Sequence, residues 1–210
     1  MHHFKIFLLA IFLACSSNAA DKANFCTVTK ITTNDYEPAV FEKSNNLLRK
    51  TGQESIISGD RIVIYGKVLD QNCLPVSDAK VYIWQVNGQG KYPYEPLRNI
   101  AKNHLIGIDK HSSFTGNGIA TTNNQGEFVF ITIKPHSVHD LKSHINVRVE
   151  HYLFKNIQSR FTLDDSKIIE FDNNQMSNPI FNYANENDFN IYNFEIIMPG
   201  IGMKKYTPDN

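Results

Sequence analysis

The chain has 210 residues, enough for one domain plus a leader. Hydrophobic residues make up 41% and charged residues 20%, so a buried core is within reach and disorder is not the default. Basic and acidic residues number 21 each, and a net charge of zero argues against a broad electrostatic grip on nucleic acid or anionic lipid.

Residues 1–19 read as a secretory signal peptide. Lys5 precedes an apolar run from Ile6 to Cys15, and Ser17 and Ala19 stand at the −3 and −1 positions of a cut. The run is about ten residues, whereas a membrane-spanning helix needs ~20. No other stretch is long and apolar enough to span. "FLAC" followed by two serines also resembles a lipoprotein signal, in which Cys15 would carry the lipid, although Phe12 and Leu13 fit that pattern poorly. The expected location is therefore exported: periplasmic, cell-envelope or secreted. Export leaves Cys26 and Cys73, and two thiols in an oxidising compartment are expected to pair, with two free thiols as the alternative.

Residues 20–58 read as an N-terminal arm and 59–210 as the folded domain. Within the arm, "VFEKSNNLLRK" at 40–50 is compatible with two or three helical turns. From Gly59 the pattern has period two. "RIVIYGKVLD" puts Ile62, Ile64 and Val68 on one face, and "AKVYIWQV" at 79–86 is β-branched and aromatic. Residues 87–125 are rich in glycine and proline with little periodicity, a long excursion between strands of the kind that is usually functional or mobile. "EFVFITI" at 127–133 and "HINVRVEHYLF" at 144–154 alternate. In the second, His144, Asn146, Arg148 and Glu150 lie opposite Ile145, Val147 and Val149. "IYNFEIIM" points Tyr192, Phe194, Ile196 and Met198 inward. Short strands joined by turns predict an all-β antiparallel sandwich with little helix.

Three segments resemble the intradiol ring-cleavage dioxygenases, the family of protocatechuate and catechol dioxygenases. They are "GDRIVIYGKVLDQNCLPVSDAKVYIWQVNGQGKY" at 59–92, "FTGNGIATTNNQGEFVFITIKP" at 114–135 and "NFEIIMPG" at 193–200. Cys73 in "DQNCLP" is a form associated with exported members. The resemblance implies the family's β-sandwich, a non-haem Fe3+ cofactor held by two tyrosines and two histidines, and a small catechol-type aromatic substrate cleaved with O2. Hard ferric iron suits anionic phenolate oxygens, with imidazole completing the set.

Carried over residue by residue, the match is uneven. The tyrosine closing "G-x-Y" is Tyr92, and the first histidine of the family's "H-x-H", nine residues after Pro135, is His144. The second tyrosine position holds Val138, the second histidine position Asn146, and the substrate-facing arginine position Leu141. His139 is the substitute donor that the loop offers, with Asp140 and His136 beside it; His104 and His111 sit in the long excursion, and His151 has the wrong strand parity. Trp84 and Gln85 read as core and strand residues, and Arg148 with Glu150 as a surface ion pair. Three readings stay open: an exported dioxygenase with an altered metal site, a metal-free relative binding a ligand or partner in the old cavity, and an envelope protein that keeps only the sandwich. Family relatives assemble, so an oligomer is compatible with each.

Overall fold

The computed structural model describes residues 25–50, 52–98, 103–137, 141–169 and 179–201. The signal peptide, Cys15, Val138, His139 and Asp140 lie outside the described residues.

The period-two segments form strands β1 (Arg61–Leu69), β2 (Lys80–Trp84), β3 (Asn117–Thr121), β4 (Glu127–Ile133), β5 (His144–His151), β6 (Phe154–Thr162), β7 (Ile168–Ile169) and β8 (Asn190–Ile197). They make two four-stranded sheets, ordered β4-β1-β8-β7 and β3-β2-β5-β6. Every pairing is antiparallel except β1 with β8. Those two strands are far apart in sequence, and a parallel neighbour requires a long crossover, here supplied by the intervening sheet. The sandwich is thus mostly, not wholly, antiparallel.

Alternation decides what each face buries. Ile62, Ile64, Phe128, Phe130, Tyr192, Phe194 and Ile196 point from the first sheet, and Val81, Ile83, Ile145, Val147, Val149 and Phe161 from the second, into one core. Phe161 lies on Phe194 with ring centroids 4.3 Å apart, joining the sheets. Gly66 in β1 leaves room for this layer, since a Cβ there would come within 2.4 Å of Phe128 Cζ and 2.7 Å of the Phe194 carbonyl.

The 40–50 segment is not helical. The Ser44 hydroxyl and the Asn46 side-chain oxygen accept from the backbone N–H groups of Asn46 and Leu48, which favours turns over helix. Leu47 N–H donates to the Ile131 carbonyl at 2.8 Å, and Leu47 and Leu48 enter the core. Tertiary pairing along β4 outweighs local helix propensity here. The one α-helix among the described residues, α1 (Pro179–Glu186), packs Phe181 and Ala184 on the outer face of the first sheet against Val63 and Ile191. The 87–125 excursion is likewise not wholly irregular: it contains a 3-10 turn at Asn103–Leu105 and the short edge strand β3.

The arm runs along β6, where Thr32 N–H donates to the Gln158 carbonyl at 3.0 Å and Asn34 Nδ2 to the Ser159 carbonyl at 2.6 Å. It thereby covers an edge that would otherwise present unpaired backbone groups. Its start is fastened by a Cys26–Cys73 disulfide with Cα atoms 5.4 Å apart. The bridge closes a loop with a sequence separation of 47. Replacing both cysteines by serine should therefore lower unfolding free energy by about 4 kcal/mol in the chain-entropy account. Urea denaturation of the double variant beside the oxidised protein measures this, and equal midpoints would show that the staple contributes nothing.

Candidate functional site

The site is built on the outer face of the second sheet. Trp84 of β2, Asn146 of β5 and Arg160 of β6 stand abreast in register, with His144 opposite Thr162 one step along and Tyr82, Arg148 and Gln158 one step the other way. The inner side of these strands faces the core, so this face must be covered by something else.

Two segments cover it. After β2 the chain turns tightly: the Asn87 side-chain oxygen accepts from the N–H groups of Gln89 and Lys91, and Gly90 takes φ +77°. The turn delivers Tyr92, which is held by hydrogen bonds from its N–H to the Leu105 carbonyl (2.7 Å) and from Gly107 N–H to its carbonyl (3.0 Å). The arm adds Tyr36, stacked on Tyr92 with centroids 4.6 Å apart and planes 13° apart, and Phe41, edge-on to Trp84 at 5.9 Å. Trp84 Nε1–H donates to the Asp35 carbonyl at 3.0 Å.

Arg148 fixes the arm from below. It pairs with Glu37 at 2.6 Å and Glu150 at 3.3 Å, and its guanidinium lies 4.4 Å from the Tyr82 ring centre. The Arg148–Glu150 pair is therefore not a bare surface pair; it extends to the arm and is partly buried. Gln85 is buried between the sheets, donating to the Ile133 carbonyl and accepting from the Thr132 hydroxyl.

Of the residues singled out in the sequence, the structure brings Tyr92 and Asn146 together. Asn146 Nδ2 lies 3.5 Å from the Tyr92 hydroxyl oxygen, while Asn146 Oδ1 is buried without a hydrogen-bond partner among the described residues. Half a turn of the amide would let the phenol O–H donate to Oδ1 instead. Tyr92 is 6% exposed, and burial raises its pKa above the usual 10.0, with the Asn146 hydrogen bond and the Arg160 cation pulling the other way. The phenol is thus protonated at neutral pH.

His144 is half-buried beside Leu141, which is exposed. Its Nδ1–H donates to the Lys142 carbonyl at 2.9 Å, which leaves the lone pair on Nε2. Of the other described histidines, His136 is exposed, its N–H donating to the Asn87 carbonyl, and His104 and His111 are exposed in the excursion. His151 packs on Tyr152 and Phe154 at the far end of β5.

Two residues at the centre of the site were not singled out in the sequence: Tyr36 and Arg160. Arg160 donates from Nε to Asn34 Oδ1 (3.0 Å) and from Nη2 to the Thr33 carbonyl (3.3 Å). Its charge acts on both Tyr92 and His144. The outward parity of Arg160 on the strand following β5 was readable in "NIQSRFT", but Tyr36 depends on the path of the arm.

These residues do not fit a ferric centre. Fe3+ calls for several anionic oxygen donors. The described residues offer one phenol, one imidazole and an amide, short of the two tyrosines and two histidines of the family pattern. Among the described residues, no group of three or more His, Cys, Asp or Glu is placed to hold a metal.

The Dioxygenase family model matches residues 31–147, more than half of the chain. A provisionally named dioxygenase of Rickettsia felis is 45% identical over 193 residues, covering 92% of each chain. The fold is similar to that of the intradiol ring-cleavage dioxygenase of Tetranychus urticae, with TM-score 0.58 and 18% identity over 83% of this chain and 95% of that one. The chain belongs to the intradiol ring-cleavage dioxygenase family. A shorter match joins it to the protocatechuate 3,4-dioxygenase beta chain of Burkholderia cepacia, 34% identical over 82 residues, 37% of this chain and 30% of the other. As an intradiol dioxygenase relative it keeps the sandwich. No helix among the described residues is long and apolar enough to cross a membrane.

Burial pushes the His144 imidazole below its usual 6.5, opposed by the bond to the Lys142 carbonyl and assisted by Arg160. The folded state therefore binds a proton at this ring less readily than the unfolded chain does. Its contribution to stability is full above about pH 6.5 and is lost as pH falls below it. His144→Gln should flatten that part of the stability–pH curve in urea titrations, and an unchanged acid slope would contradict the assignment.

Proposed function

We propose that this chain is an exported, iron-free member of the intradiol dioxygenase family, which holds a small ligand on the outer face of the second sheet and does not open catechol rings. The observation that carries this reading is the Tyr92–Asn146 contact, where a neutral amide that supplies no charge to offset a metal stands beside the phenol. Arg160 adds a positive charge that acts on the phenol and the imidazole, and Asp35 acts on the phenol in the opposite sense. Export is supported by the leader-like first residues and by the Cys26–Cys73 disulfide, a bond that persists in oxidising compartments. A small aromatic ligand is suggested by the catechol chemistry named for relatives such as the 3-chlorocatechol 1,2-dioxygenase of Rhodococcus opacus, whose fold this chain shares.

A second reading, a dioxygenase with a rebuilt iron site, is favoured by one observation. The Nδ1–H bond of His144 to a backbone carbonyl leaves Nε2 bare, as in metal-bound histidines. The donors it needs besides Tyr92 are His139 and Asp140.

Metal analysis of the mature protein purified without chelator, before and after anaerobic ferrous loading and re-oxidation, separates the two. The iron-free reading expects substoichiometric iron, a colourless protein and no O2 uptake with catechol. Stoichiometric iron with a visible phenolate-to-iron band that Tyr92→Phe abolishes would overturn it and establish the second reading.

A further inference from the structure

His144 and Arg160 also open outward. Together with Lys30 of the arm and Lys142 at the entry to β5, they line a pocket of about 260 Å3 whose other walls include Leu141 and Thr162. Among the described residues, no acidic side chain lines it.

Arg160 is half-buried in its floor and has no carboxylate partner among the described residues. Its Nε and one Nη2 donor serve neutral acceptors, and Nη1 makes no hydrogen bond to the described residues. A half-buried guanidinium with donors to spare presents a planar fork of N–H groups that matches an oxyanion. Lys30 and Lys142 are exposed at the rim, where compact ammonium groups attract an anion and move to meet it. Among the described residues, Asp164 senses this rim; it is held below its usual range first by the Ser166 hydroxyl and also by Lys142 and Lys167. It stands outside the pocket lining.

We infer that this pocket binds the oxyanion group of a ligand, a carboxylate or a phosphate, with Arg160 as its fixed partner and Lys142 and Lys30 as mobile ones. The inference rests on the iron-free reading, since a bound ferric ion would itself attract oxyanions. The hydroxyl of Thr162 offers a neutral hydrogen bond at the same mouth. Charge-assisted bonds of this kind carry a large share of a small ligand's affinity.

The test is calorimetric titration of the full mature protein with inorganic phosphate, with benzoate and with neutral catechol at constant ionic strength, the iron content of every sample being measured alongside. The expected result is saturable binding of phosphate, benzoate or both, weakened roughly tenfold or more by Arg160→Gln and several-fold by Lys142→Gln. Phosphate alone or benzoate alone identifies which oxyanion the pocket takes. Lys142 is exposed, so its variant remains informative if Arg160→Gln loosens the arm. Absence of saturable anion binding in iron-free protein overturns the inference and leaves the iron-free reading standing. Anion binding that both variants leave at wild-type strength also overturns it. Binding that occurs only in iron-loaded samples overturns the iron-free reading together with the inference.

Discussion

The outer face of β5 is a row of polar side chains, His144, Asn146, Arg148 and Glu150, laid down by the same alternation that sends Ile145, Val147 and Val149 into the core. A sandwich can leave such a face in water. Here the arm and the segment after β2 close over it, so each polar group must find a partner. Arg148 finds Glu37 and Glu150, Trp84 finds the Asp35 carbonyl, and Asn146 meets Tyr92. Not every group succeeds: Asn146 Oδ1, Tyr94 Oη and Arg148 Nε are buried without a hydrogen bond among the described residues.

In the family pattern, anionic oxygen donors surround a cation. Here Tyr92 senses both the Arg160 cation and the Asp35 carboxylate, and burial raises its pKa above the usual 10.0. A half-buried imidazole, an amide and a guanidinium are among the polar groups this outer face offers. The fold explains how this is tolerated: the residues that form the site lie on strand faces outside the core, so they change without disturbing the inter-sheet packing of Phe128, Phe161 and Phe194. Shared architecture and shared activity are separable for this reason.

Much of the architecture was legible because strand alternation is a local signal. β4 begins and ends at the residues its alternation marks, and the inward set of β8 is the one its spacing indicates. The arm was not legible. Residues 40–50 look helical by composition, yet Leu47 and Leu48 are drawn into the core beside β4, a gain invisible without the tertiary structure. The helix α1 was hidden for the opposite reason, since "PIFNYANE" is rich in asparagine, a poor helix former, and is stabilised by packing on Val63 and Ile191. In the site, motif spacing singled out Tyr92, His144 and Asn146 and paired the phenol with His144, whereas the Tyr92 hydroxyl meets Asn146. Arg160 and Tyr36 were not singled out, because their roles depend on how the arm folds back over β6 and on the register between two strands.

The central proposal is that Tyr92 and His144 hold no ferric ion and that Arg160 supplies the cation acting on both. Crystallographic anomalous scattering at the iron edge, on crystals grown from iron-supplemented protein, tests it most directly. The account predicts no anomalous peak between the two rings, with the Arg160 guanidinium seated on Asn34 and Thr33. A full-occupancy iron peak bonded to Tyr92 oxygen and His144 Nε2, with Arg160 displaced, would contradict it.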